Sequence, residues 1–89
     1  MEIKEIQERN YEATVKRGQI TKETMSFEFV DKLKEELSEL ENHYFINGFI
    51  DEKELADVIL VCLSFAKHKN IDIMKVMQEK VIFNENRKD

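Results

Sequence analysis

Four carboxylates stand out by their spacing: Glu36 and Glu39 lie three residues apart, and so do Glu54 and Asp57. On a helix this spacing puts each pair on one face, about a turn apart. The segments carrying them are separated by a short connection, which predicts an antiparallel helical hairpin. At about 1.5 Å of rise per residue, Glu39 falls about 10 Å before the end of its helix and Asp57 about 8 Å beyond the start of the next. The two pairs therefore overlap in level. Four hard oxygen donors without a partnering histidine or cysteine suit Mg²⁺, with Mn²⁺ as a substitute, better than zinc. The matching chemistry is metal-assisted attack of water on a phosphoryl group.

Each acid also has a simpler reading. Glu36 can pair with Lys32 one turn back, and Glu39 can be an ordinary surface residue beside Leu40. Glu54 stands three residues after Asp51, the pattern of a capping box at a positive helix end. Asp57 is harder to dismiss. It is set among Ala56, Val58, Leu60 and Val61, and no lysine or arginine lies between Leu55 and Ala66. If that setting buries it, an unpaired carboxylate costs several kcal/mol and calls for a cation. A lysine from another helix would serve, but a metal explains all four acids together.

The elements that must position these residues are legible as four helices. The first is predicted over about Ile3 to Arg17, closed by Gly18. The second runs from about Met25 to Ile46, capped by Thr24 or Ser26 and ended by Asn47-Gly48. Its residues Val30, Leu33, Leu37, Leu40 and Tyr44 step by three and four, which predicts a lengthwise packing seam. The third opens at Asp51 and ends at Asn70. From Leu55 to Ala66 it is apolar except for Asp57 and Ser64, so it must be covered all round. Three other helices of so small a chain can hardly do this, which predicts a homo-oligomer, a dimer or tetramer. Asp72 caps the fourth helix, with Ile71 and Val76 as a hydrophobic staple; Ile73, Met77 and Val81 form its stripe as far as about Asn84. The tail from Asn86 to Asp89 is expected to fray.

Lys34-Glu35-Glu36-Leu37-Ser38-Glu39-Leu40, followed after the hairpin turn by Glu54-Leu55-Ala56-Asp57-Val58-Ile59-Leu60, resembles the Glu-Glu-x-x-Glu … Glu-x-x-Asp signature of the MazG-type pyrophosphohydrolases. The resemblance spans about Ile3 to Arg87. It implies one all-α domain over residues 1–89, a four-helix MazG-like bundle assembling as an intertwined homodimer or dimer of dimers. It implies Mg²⁺-dependent hydrolysis of a nucleoside triphosphate to the monophosphate and pyrophosphate. Carried over by resemblance, Glu36, Glu39, Glu54 and Asp57 are the metal ligands, and Glu39 or Glu36 activates the water. Lys80, Asn84 and Arg87 resemble the family's Lys-x-x-x-Asn-x-x-Arg ending, whose groups meet the substrate. Their spacing of four and three puts them on one face. A non-catalytic helical oligomer, serving as an interaction or regulatory module, is the alternative.

Composition narrows the classes. The 89 residues carry a net charge of −5. That excludes the basic face of a general nucleic-acid binder, while leaving a metal-bridged nucleotide open. No proline and only two glycines favour helices over strands and tight turns. No membrane span and no leader are expected, which points to a soluble cytoplasmic protein. Cys62 is expected to be a small buried thiol. His43 and His68 are expected to be structural or surface groups near helix ends, Phe45, Phe49 and Phe65 core residues with stacking on a base as the alternative, and Asn10 a surface residue with a place facing the base as the alternative.

Overall fold

The computed structural model describes residues 1–88. Four helices follow one another: α1 (Ile3–Lys16), α2 (Ser26–Asn47), α3 (Glu52–His68) and α4 (Ile73–Glu85), with no strand among the described residues. None of these helices is long and apolar enough to cross a membrane.

Local chemistry explains where the helices stop. Gly18 takes φ +78°, letting the Gln19 N–H turn back onto the Thr14 carbonyl at 3.1 Å. Asn70 does the same without glycine, at φ 57°, with the Ile71 N–H on the Ala66 carbonyl at 2.9 Å. Gly48, also at φ +78°, closes α2 through a 2.8 Å bond to the Tyr44 carbonyl. At the other ends, Asp51 accepts from the Lys53 N–H at 2.8 Å, and Asp72 from the Lys75 N–H at 3.3 Å.

The expected cap of α2 is different. Met25 holds the N-cap position, and the Glu28 carboxylate reaches back to accept from its N–H at 2.7 Å. Thr24 instead serves the preceding turn, its hydroxyl accepting from the Thr21 N–H at 2.8 Å. The C-terminal expectation is met as far as Glu85, with Asn86 as the C-cap; Asp89 lies outside the described residues.

α3 is the central element, packed against α1 on one side and α2 on another, with α4 leaning on it. The pairing of α2 with α3 runs Phe29 to Phe65, then Glu36 near Asp57, then His43 to Asp51, which makes the hairpin antiparallel. Phe29 and Phe65 stack with ring centroids 4.9 Å apart, and Ile20, Phe29, Leu63 and Ala66 are the buried apolar residues. Polar ties hold α1 onto α3. Buried Gln7 donates from Nε2 to the Leu63 carbonyl at 2.7 Å, and Asn10 donates to the Ser64 hydroxyl at 3.1 Å.

His68 is structural, as expected. Its Nε2 lies 2.8 Å from the Thr24 carbonyl, which can only accept, so that nitrogen carries the proton. Nδ1 then accepts from the Tyr11 hydroxyl, also at 2.8 Å. The imidazole thereby ties α1, α3 and the loop before α2 together.

Several expectations about burial need correction. The contact face of α2 is centred on Phe29, Glu36 and His43 with Leu33 and Leu40, so Val30, Leu37 and Tyr44 are turned outward. Cys62 is exposed, as are Leu55 and Ile59 on the same helix. Phe45 and Phe49, at the hairpin tip, are exposed rather than core, whereas Phe65 is in the core stack. Met77, Val81 and both members of the proposed staple, Ile71 and Val76, are exposed, and α4 buries no residue. The chain's own packing thus leaves much of the apolar surface of α2, α3 and α4 uncovered.

Candidate functional site

Among the described residues Glu36 is the one acid buried as a whole residue, at 8% exposure on the α2 face turned towards α3. It is not left alone: Lys32 Nζ lies 3.2 Å from its Oε1 and 3.5 Å from Glu35 Oε1. The pair is the i,i+4 arrangement that the helix supplies locally. It holds the Lys32 ammonium above its ordinary pKa, chiefly through the hydrogen bond to Glu36.

Asp57 enters the same place from α3. Glu36, Asp57, Lys32 and Glu35 line a cleft of about 690 Å³ between α1, α2 and α3. This volume is in the range of small-molecule sites. Asp57 is exposed, not buried among apolar neighbours. The helix turns Asp57 towards the cleft, while Leu55 and Ile59, two residues to either side, lie on the opposite flank. The burial-cost argument for a cation therefore does not apply to Asp57; what remains is that it lines the same cleft as Glu36.

Glu39 and Glu54 complete the acidic flank nearer the hairpin tip. The Glu39 carboxyl is held above the ordinary carboxylate range, first by repulsion from Glu36, with smaller effects from desolvation, Glu54 and Glu35, against relief from Lys32. Those sources lie on both helices, so Glu39 feels the charge of Glu54 across the hairpin as well as that of Glu36 on its own helix. Glu54 does not complete the expected capping box. Its N–H donates to Asp51 at 3.3 Å, but its own carboxylate does not return the bond, and Oε2 is buried without a partner. His43 Nε2 is likewise buried without a hydrogen bond, 3.9 Å from Asp51 Oδ2. His43, Asp51 and Glu54 each offer a ligand atom, all within 4.8 Å of one another. The predicted set of four is not drawn together so closely, and forms a band along the hairpin.

The residues present fit a hard divalent ion in donor chemistry. Oxygen donors of both helices face one cleft, the repulsion on Glu39 is only partly offset by Lys32, and Glu54 holds an orphaned oxygen. Lys32 is the competing cation at Glu36.

A raised carboxyl pKa has a definite sign. The folded state prefers Glu39 protonated, so its contribution favours folding below the ordinary carboxylate pKa and is lost as pH rises through the folded value. Glu39→Gln is therefore expected to raise the thermal midpoint at neutral pH, and this gain should disappear in acid. A melting series across pH 3 to 8 checks this; a lower midpoint at pH 7 would contradict shared repulsion.

The C-terminal trio is placed elsewhere. Lys80, Asn84 and Arg87 are exposed on and just beyond α4, and none lines the cleft. Lys80 Nζ stands 4.6 Å above the Phe83 ring. Two groups that do line the cleft, Arg17 and Ser64, carried no diagnostic signal in the sequence, and Asn10, expected chiefly on the surface, is half-buried in the same lining. Asn10 and Ser64 bond to each other across 54 positions of chain. Arg17 belongs to a basic turn whose spacing predicts nothing, because only the packing of α1 on α3 brings it to the cleft that Asp57 also lines. His43 was missed as a neighbour of Asp51 and Glu54 because only the packing of α2 on α3 brings them together. No protein-family model, curated protein or solved structure matches this chain.

Proposed function

We propose that this chain is a Mg²⁺-dependent nucleoside triphosphate pyrophosphohydrolase, converting an NTP or dNTP and water to the monophosphate and pyrophosphate. The observation that carries the reading is the convergence of acids from two helices on one cleft, with Glu36 and Asp57 in its lining and Glu39 under repulsion from both Glu36 and Glu54. The sequence resemblance to MazG-type enzymes supplies the reaction.

Glu36, Glu39, Glu54 and Asp57 would hold the metal, with Mn²⁺ able to replace Mg²⁺. The ion, when bound, neutralises phosphate oxygens and lowers the pKa of a water next to them. Glu39, the acid with the raised pKa, is suited to accept that water's proton, with Glu36 as the other candidate. Lys32 and Arg17 are the cleft cations available to phosphate oxygens, one as a point charge and the other as a planar fork. Lys80, Asn84 and Arg87 remain the substrate groups that the resemblance implies, and α4 would have to reach a cleft for them to act.

A nonhydrolysable triphosphate with Mg²⁺ is expected to raise the thermal midpoint well above either component alone, because binding to the native state alone stabilises it. Absence of any shift across a panel of standard, deoxy and oxidised nucleotide analogues would overturn the reading. The second reading, a helical interaction module without catalysis, is favoured by the Lys32–Glu36 pair, which already gives the buried acid a counter-charge. In that case Mg²⁺ leaves the native stability unchanged.

A further inference from the structure

The tip of the hairpin holds a polar cluster apart from the cleft. His43 lies one turn before the end of α2, Asp51 is the N-cap of α3, and Glu54 stands on the first turn of α3. None of the three lines the cleft. Folding of the hairpin brings one ligand atom from each to within 4.8 Å of the others. Local chemistry aims them. Asp51 uses Oδ1 to accept from the Lys53 and Glu54 N–H groups, at 2.8 and 3.3 Å, while Oδ2 lies 3.9 Å from His43 Nε2. Glu54 follows three residues later, on the same side of the helix start. The His43 ring meets Phe49 edge-on with centroids 5.2 Å apart, so the connection between the helices holds the imidazole from behind.

Two observations ask for an occupant. Among the described residues, the buried side-chain polar atoms without a hydrogen-bond partner are His43 Nε2 and Glu54 Oε2, and both belong to this cluster. Such atoms are uncommon in native structures because their lost hydration is not replaced. In addition, neither the Asp51 nor the Glu54 carboxylate meets a lysine or arginine among the described residues. A hydrogen bond between His43 and Asp51 would engage the ring nitrogen but leave Glu54 Oε2 as it is. A bridging water would engage both orphaned atoms and leave two carboxylates uncompensated. A cation satisfies all three groups at once.

The donors select the cation. A neutral imidazole nitrogen suits zinc and its neighbours in the transition series, whereas Mg²⁺ takes oxygen donors. Three protein ligands with a position left for water is the common form of an open zinc site. Donors about 2.1 Å from one ion stand about 3.4 Å apart in a tetrahedral shell, so closing the site takes a contraction of about 1.4 Å. Rotation of the Glu54 side chain can supply it, since Oε2 has no bond to break.

We propose that His43, Asp51 and Glu54 bind a divalent transition-metal ion, zinc by preference, at the tip of the hairpin, where it ties the end of α2 to the start of α3. The site does not rest on the catalytic reading: it lies outside the cleft, and only Glu54 is common to both.

The test uses the whole chain stripped of metal by a chelator. The chain has two histidines, and both ring nitrogens of His68 are already engaged, by Tyr11 and Thr24. Zn²⁺ is expected to shift the nuclear magnetic resonance signals of the His43 imidazole, to leave those of His68 in place, and to raise the thermal midpoint by several degrees. Mg²⁺ at the same concentration should leave both imidazoles unmoved. His43→Gln should weaken Zn²⁺ binding by about tenfold or more. Asp51→Asn should do the same while keeping the N-cap, because asparagine caps a helix as well as aspartate does. Asp57→Asn, in the cleft, should leave Zn²⁺ affinity unchanged. Zn²⁺ that leaves the His43 signals unmoved overturns the proposal. So does equal affinity in His43→Gln, which would put the ion elsewhere, for instance on the exposed Cys62 thiol. Loss of Zn²⁺ binding in a folded Asp57→Asn variant also overturns it, because the ion would then sit in the cleft. Zn²⁺ binding at His43 without any response to Mg²⁺ and nucleotide supports this site and counts against the catalytic reading alone.

Discussion

Replacing Asp57 by alanine is expected to lower Mg²⁺-dependent release of pyrophosphate by about two orders of magnitude or more, while leaving the fold intact. The two halves of that expectation have separate causes. Asp57 reaches the cleft from α3 and is the only acid of that helix in its lining, so its loss removes a donor that Glu36 cannot replace. It is also exposed and makes no ion pair among the described residues, and alanine is a better helix former at the same position. The circular dichroism spectrum and thermal midpoint should therefore be preserved or slightly improved. Pyrophosphate release under saturating Mg²⁺ is the measurement, and undiminished activity in the folded variant would remove Asp57 from the site. The opposite pattern, a large loss of stability, would mean that the residue is structural.

Phe29→Ala is expected to have the largest effect on stability. Phe29 is 5% exposed, stacks on Phe65 with an interplanar angle of 3°, and lies 5.1 Å from the His68 ring by centroids. Truncating a buried phenylalanine typically costs about 3–5 kcal/mol, part of it from the cavity left behind. Domains of this size are stable by only about 5–10 kcal/mol. The loss should also free His68, because Phe29 is packed on the imidazole that joins Tyr11 to Thr24. Urea denaturation followed by circular dichroism should show a midpoint reduced by half or more. A change below about 1 kcal/mol would show that the stack contributes little and that the core lies elsewhere.

The positions of the helices were legible because the signals that end a helix act over a few residues. Gly18, Gly48 and Asn70 take the left-handed conformation where the sequence suggests a stop, and Asp51 and Asp72 cap the helices they precede. The α2 cap was misassigned because a short-range competitor intervened: Thr24 bonds within its own turn, and Glu28 takes the free N–H of Met25. The hairpin register was also legible. Once both helices are placed and the connection is short, rise per residue brings the Glu36/Glu39 pair level with the Glu54/Asp57 pair.

What the sequence could not determine is the rotation of each helix about its own axis and which surfaces remain uncovered. Apolar residues surround α3 on nearly every side and form more than one line on α2, so periodicity alone allows either Val30 or Phe29 to face inward. Only packing against α1 and α2 together decides that Phe29 and Glu36 are buried while Val30, Leu37 and Cys62 are not. The same packing sets Asp57 in an open cleft rather than an apolar interior, and brings Asn10 and Arg17 to it from the far end of the chain. Helix type and ends are decided by contacts between neighbours in sequence. The site's lining is decided by contacts between helices, whose geometry depends on every side chain between them.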